Sequence, residues 1–141
     1  MRRYRIVIDT NVIVSAMRSR KGASFRLLSM LLESASDFLI STPLVLEYEM
    51  VLKRSNMAFL PESEVERLVD DLCLMGVRQT TWYLWRPILN DPDDDFIAEL
   101  AANGQADFVV TYNRRDFEQL RLFGIATKSP KEFLELLRQV S

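Results

Sequence analysis

The sequence predicts an α/β protein in which a central parallel sheet carries helices on both faces. Three observations lead there. Short apolar runs recur near 5–9, 38–41, 107–111 and 124–126, and segments with helical periodicity alternate with them. The first run, Ile6-Val7-Ile8, has no polar residue between its members, as expected of a strand buried on both faces. The spacing of these units suits right-handed crossovers, which bring the carboxyl ends of parallel strands to one edge.

The elements follow in order. Strand 5–9 runs into a helix over Asn11 to Met17, and the polar, basic loop 18–23 leads to a second helix over Ser24 to Leu32. After the strand at 38–41, Thr42-Pro43 offers a capping hydroxyl followed by proline at the first helical position, predicting a helix to Lys53. From Glu62 to Met75, Val65, Leu68, Val69 and Leu72 share one helical face. An extended piece within 77–85, a helix over Asp94 to Ala102 and the strand at 107–111 come next. A helix over Arg115 to Leu122, the strand at 124–126 and a helix over Pro130 to Val140 complete the series. No repeat, low-complexity segment or long linker divides the chain, so 1–141 reads as a single domain. The apolar Met57, Phe59 and Leu60 fit a helix-hairpin corner tucked into the core, with a partner or dimer surface as the alternative.

Composition prunes the chemistry. With 48% hydrophobic residues in 141, the chain has enough apolar surface for a sizeable core. A formal net charge of -2 argues against attachment to nucleic acid through bulk positive charge. Histidine is absent, which excludes Ser-His-Asp triads and His-ligated zinc within the chain. Cys73, the single cysteine, excludes an intrachain disulfide and reads as a small packing residue. The apolar run after Arg2, Arg3 and Arg5 is too short for a signal peptide or membrane span, so the expected location is cytoplasmic and reducing.

What remains is carboxylate and hydroxyl chemistry, and acids fall where the architecture would gather them. Asp9 ends the first strand, at the edge where open α/β sheets place ligands; capping of the next helix is its structural alternative. Glu47 lies just over one turn into the helix after Thr42-Pro43, while Glu49 points about 200° away from it. In Asp91-Pro92-Asp93-Asp94-Asp95, one or two acids would satisfy a helix start, and four exceed it. Asp94 precedes Ile97, Leu100 and Ala101 at one-face spacing, which places it in the first turn over the sheet edge. The strand Phe108-Val109-Val110-Thr111 again ends in polar residues, with Asn113 and Asp116 close behind; ordinary turn and cap roles are the alternative. Clustered carboxylates without histidine suit Mg2+ or Mn2+, and phosphodiester hydrolysis is the natural reaction class.

Val7-Ile8-Asp9-Thr10-Asn11-Val12, Ser41-Thr42-Pro43 through Glu47, Asp91-Pro92-Asp93-Asp94 and Ala106-Asp107-Phe108-Val109-Val110-Thr111 occur in an order and spacing that resembles PIN-domain ribonucleases. The likeness is to the small bacterial and archaeal group described as toxins of toxin–antitoxin pairs, and it covers nearly the whole chain. The resemblance implies a three-layer α/β/α sandwich, Mg2+- or Mn2+-dependent endoribonuclease activity on RNA, a small antitoxin protein as partner, and a homodimer. By position it implies Asp9, Glu47 and Asp94 as metal-binding acids, with Asn11 in support. Relatives differ at the last site: some carry an acid two residues after the strand-ending Thr111, where this chain has Asn113. Others carry it three residues further on, a pattern that Asp116-Phe117 matches. Asp116 is thus the implied fourth acid, and Asn113 the neutral alternative.

The remaining features have competing readings. Gly22, Gly76, Gly104 and Gly124 form neither a P-loop nor a dinucleotide fingerprint. Asp9-Thr10-Asn11 also resembles the start of an aspartyl-nucleophile phosphatase, which would want an acid at position 11. Arg18, Arg20, Lys21, Arg114 and Arg115 fit either a phosphate-holding rim or a solvated charged one. Trp82 and Trp85 suit packing or an interface better than base stacking. A functional alternative to the ribonuclease is a catalytically degraded PIN-like domain that binds RNA or protein.

Overall fold

The computed structural model of the chain describes residues 3–54, 60–81 and 95–139. Arg5–Ile8 forms β1, and its Ile6 and Val7 are completely buried, which is why an unbroken apolar run suits this position. The chain continues through α1 (Thr10–Arg18), α2 (Ala23–Leu32), β2 (Asp37–Ile40), α3 (Thr42–Arg54), α4 (Glu62–Met75) and β3 (Val77–Arg78). After the undescribed 82–94 come α5 (Asp95–Asn103), β4 (Phe108–Val110), a 3-10 segment (Arg114–Phe123), β5 (Ala126–Lys128) and α6 (Pro130–Gln139).

The strands pair in the order β3-β2-β1-β4-β5, and every pairing is parallel. β1 lies in the centre, with Ile6 opposite both Phe38 of β2 and Phe108 of β4. The helices cover this sheet as the outer layers of the expected α/β/α sandwich: α1 packs on α2 and α3, α2 on α6, and α5 on β1, β2 and α3. Tyr4, Phe108 and Phe133 of α6 lock one region of the core, their ring centroids 5.5–6.0 Å apart in tilted and edge-on pairs. Such pairs contribute roughly 0.5–1.5 kcal/mol beyond the area they bury.

Several expectations shift at element ends. The helix expected over 115–122 is instead the 3-10 segment, interrupted at Phe117 (φ -117°, ψ 15°). The strand expected at 124–126 begins only at Ala126, because Gly124 takes a left-handed conformation (φ 75°) that ends the 3-10 segment first. The hydroxyl that meets the start of α3 belongs to Ser41, which accepts from the Leu44 N–H at 3.4 Å; Thr42 is already helical. The extended piece expected within 77–85 is confined to Val77–Arg78 among the described residues. Met57, Phe59, Trp82, Trp85, Asp91, Asp93 and Asp94 lie outside them. Leu60 packs against the core, as does the half-buried Cys73. No described helix is long and apolar enough to cross a membrane.

Candidate active site

β1 and β4 are neighbours, with Ile8 opposite Val110, so the residues that follow each strand emerge together at one edge. The Asp9 N–H donates to the Val110 carbonyl at 2.9 Å, carrying the pairing one step beyond β1. The Thr111 hydroxyl then donates to Asp9 Oδ2 at 2.7 Å. The same hydroxyl oxygen accepts from the Asn113 N–H at 2.9 Å. A hydroxyl has one proton, and that inward bond from Asn113 leaves it aimed at Asp9.

Asp9 stands at the N-cap of α1, yet its carboxylate makes no capping bond. It is only 7% exposed, and it is not spent on the structural task most often given to an aspartate there. Burial raises its pKa above the ordinary aspartate value; the Thr111 hydroxyl and the Thr10 backbone oppose that rise, and the charges of Glu47 and Asp116 add to it. The group is therefore a desolvated acid among other acids.

α3 supplies the second carboxylate. Glu47 is half-buried and accepts a hydrogen bond from the Thr10 hydroxyl, so the residue after Asp9 fixes it. Its neighbour Tyr48 is buried and donates its phenol proton to the Ile8 carbonyl, the residue before Asp9. Burial, then the charges of Asp9 and Glu47, hold the Tyr48 phenol well above its usual pKa, which keeps it a neutral donor. Two consecutive residues of α3 thus grip the end of β1 on either side of Asp9. Glu49 points elsewhere and pairs with Lys53 at 3.2 Å.

These groups open onto a cleft of about 530 Å³ lined by Asp9, Thr10, Asn11, Val14, Ser15, Arg18, Ser19, Glu47, Val51 and Asn113. Asn11 stays close to the β4 end, its Oδ1 3.5 Å from the Tyr112 N–H, and the Tyr112 hydroxyl meets Ser24 Oγ at 2.5 Å. Asn113 precedes the 3-10 segment without a side-chain capping bond. Asp116 is exposed and acts on Asp9 through its charge. Of the basic rim, Arg18 lines the cleft, whereas Arg114 is engaged by Glu132 at 3.0 Å.

Asp94 lies outside the described residues, so its place relative to Asp9 and Glu47 is not part of this geometry. Among the described residues, no group of three or more Asp, Glu, Cys or His side chains is gathered as a metal-holding set. The carboxylates lining the cleft are Asp9 and Glu47, joined by hydroxyls and amides, a hard-oxygen donor set that fits Mg2+ or Mn2+. Asp95, the first residue of α5, is 2% exposed, and α5 packs on β1 and α3, the elements that position Asp9 and Glu47. Asp95 closes the acidic run that the sequence marks at this helix start, and Glu99, also buried, lies on the same helix with no sequence signal of its own. The grip of Tyr48 on Ile8 has one local signal in the sequence, a tyrosine on an apolar helix face, whose hydroxyl needs a buried acceptor.

No curated protein matches the chain. The family model for the PIN domain matches residues 5–115, a span that contains Asp9, Asn11, Glu47, Asp94, Thr111 and Asn113 and stops one residue before Asp116. PIN domains are generally nucleases, hydrolases acting on nucleic acid, and the two carboxylates at the sheet edge suit that chemistry. The strand-end acid, the order of the parallel sheet and the length of the match agree, and the chain belongs to the PIN-domain family.

Proposed function

We propose that the protein is a Mg2+- or Mn2+-dependent endoribonuclease, the toxin of a toxin–antitoxin pair, acting in the cytoplasm as one PIN-like unit over residues 1–141. One observation carries the catalytic part: Asp9 is buried at a helix N-cap, makes no capping bond, and shares a cleft with Glu47. A carboxylate kept desolvated beside other acids is costly unless it has a cation to meet. Asp9 and Glu47 would hold the ion, with Asp94 as third acid and Asp116 as fourth. Bound there, the ion would supply an activated water and neutralise charge on the phosphate and leaving oxygen.

The chain's own residues do the rest. Thr111 orients Asp9, and Thr10 orients Glu47. Asn11 and Asn113 line the cleft as neutral polar groups suited to a water or a phosphate oxygen. The small antitoxin and the homodimer rest on resemblance to PIN-domain toxins; exposed Leu46 and Met50 on α3, and Leu74 and Met75 on α4, supply apolar surface for a protein partner.

A degraded domain that binds RNA without cutting it is the competing reading, favoured by the neutral Asn113 at the position where some relatives carry an acid. A cleavage assay on structured and single-stranded RNA with Mn2+, with and without EDTA, separates the two. Cleavage that EDTA and Asp9→Asn each abolish is the expected result. RNA binding with no cleavage at any Mn2+ concentration would establish the binding module instead. Cleavage that persists in EDTA would overturn the metal-dependent mechanism.

A further inference from the structure

We propose that Arg18 is a positioning residue that grips a phosphate flanking the scissile one, so that the RNA strand lies along α1. The inference rests on the ribonuclease reading of the same cleft and names how its substrate is held. Arg18 lines the cleft together with Asp9 and Glu47, at the opposite end of α1 from those acids. At ~1.5 Å of rise per residue, the eight steps from Thr10 to Arg18 span about 12 Å along the helix axis. Arg18 therefore meets a different phosphate from the one beside Asp9.

Asn11, Ser15 and Arg18 fall at four- and three-residue intervals, so they form one stripe along the helix, and all three line the cleft. An amide, a hydroxyl and a guanidinium in line suit a sugar–phosphate backbone, which offers acceptor oxygens at every step.

Among the described residues the guanidinium is also uncommitted. Arg3 pairs with Asp37, Lys53 with Glu49 and Glu66, and Arg114 with Glu132. Arg18 is exposed and makes no ion pair with any described residue, although it shares its cleft with two carboxylates. Arg20 and Lys21, both exposed, follow at once and extend the positive charge beyond the cleft. In a chain of net charge -2, nucleic acid is not attracted by the molecule as a whole. A local track must draw it towards a site whose own charge is negative. The plainer role for Arg18 is to oppose the negative end of the α1 dipole, since it is the basic residue of the last turn. That role would affect helix stability and leave RNA binding untouched.

The test uses a fluorescein-labelled single-stranded RNA decamer and the Asp9→Asn protein, which removes cleavage, with anisotropy followed across a salt series. Adding Arg18→Gln should weaken binding about tenfold and lower the slope of log K against log salt by ~0.7, the share of one phosphate contact on a single strand. Arg18→Lys should recover the slope and only part of the affinity, since an ammonium keeps the charge without the planar fork. In the otherwise wild-type protein, Arg18→Gln should raise KM for a cleaved RNA far more than it lowers kcat. If wild-type protein cleaves RNA but slope and KM do not respond to Arg18→Gln, the positioning role is overturned and the nuclease stands. If wild-type protein neither binds nor cleaves any RNA, the nuclease reading falls, and the role of Arg18 falls with it.

Discussion

At the end of β1 the chain turns directly into α1 and leaves a carboxylate 7% exposed; at the end of the neighbouring β4 it leaves a hydroxyl fully buried and runs out into a largely exposed 3-10 segment anchored by Phe117 and Leu120. Asp9-Thr10-Asn11 and Thr111-Tyr112-Asn113 look alike as sequences, each a short polar interruption after an apolar strand. Their chemistry is opposite. The β1 end carries the charge and accepts, while the β4 end is neutral and donates, with Thr111 bonded to Asp9 at 2.7 Å and Asn113 bonded to Thr111 at 2.9 Å. A parallel sheet supplies this pairing without further construction, because residues following adjacent strands in register arrive side by side. One strand end can then hold a reactive group while the next aims it.

The largest effect should come from the charge itself. Asp9→Asn should lower RNA cleavage by more than the roughly 10–100-fold that loss of a supporting partner usually costs. It should also stabilise the metal-free protein near neutral pH. Because burial raises the folded-state pKa of Asp9, the stability linked to its protonated form is complete below the unfolded-state value and is lost as pH rises through the folded one. The amide does not titrate. The Tm advantage of Asp9→Asn over wild type in EDTA should therefore grow as pH rises through that window and then level off. An advantage independent of pH would show that Asp9 is not strained by its burial.

A divalent ion should reverse that order. Millimolar Mn2+ should raise the Tm of the wild-type protein by mass action and leave Asp9→Asn nearly unchanged. The gain should shrink on acidification, starting above the ordinary aspartate range, since Asp9 must be ionised to bind. Equal responses of the two proteins to Mn2+ in differential scanning calorimetry would place the ion elsewhere.

Thr111→Val tests the donating strand end. It removes the hydroxyl with little change of shape, leaves Asp9 Oδ2 without that donor, and should cost ~1–3 kcal/mol in urea unfolding. The lost bond had favoured the charged form of Asp9, so the acidic limb of the pH–rate profile should move to higher pH. Activity should fall by roughly 10–100-fold. A profile unmoved by Thr111→Val would mean that Asp9 takes its orientation from elsewhere.

The smallest effect should come from making the two ends alike. Asn113→Asp adds a carboxylate on the β4 side of the cleft and should tighten a second Mn2+ by severalfold in isothermal titration calorimetry. Asp116→Asn should weaken Mn2+ binding if Asp116 is the fourth acid. No response to Asp116→Asn would remove Asp116 from the proposed set of acids.

The two ends also differ in how readily sequence reveals them. Asp9 was legible because a charge directly after an uninterrupted apolar strand has few structural uses. The direction of Glu47 was legible from helix phase, since Glu49 two residues on points about 200° away and pairs with Lys53. The register that hands Thr111 to Asp9 is a long-range property, and no local pattern specifies it. Ser41 and Thr42 are adjacent hydroxyls before one proline, and only the backbone path decides which of them faces the first helical turn. The segment after Asn113 has exposed charges at Arg114, Arg115, Glu118 and Arg121 that suit an α-helix or a 3-10 turn equally. In the Asp91–Asp95 run, consecutive positions of a helix would differ by about 100°, so the choice of Asp94 over the buried Asp95 turns on the helix phase alone.

The Tyr48 phenol bound to the Ile8 carbonyl has a consequence for how the cleft keeps its two acids together. Two carboxylates facing one cleft repel each other, and an uncharged contact cannot be screened by salt or titrated away near neutral pH. By joining α3 to the last residue of β1, this contact holds Glu47 and Asp9 at a common opening whether or not positive charge is present. The conformational entropy of bringing the helix to the strand is then settled when the chain folds, instead of being charged to the affinity of the ion or the substrate. A site assembled in that way keeps the same shape whether the cleft is empty or filled.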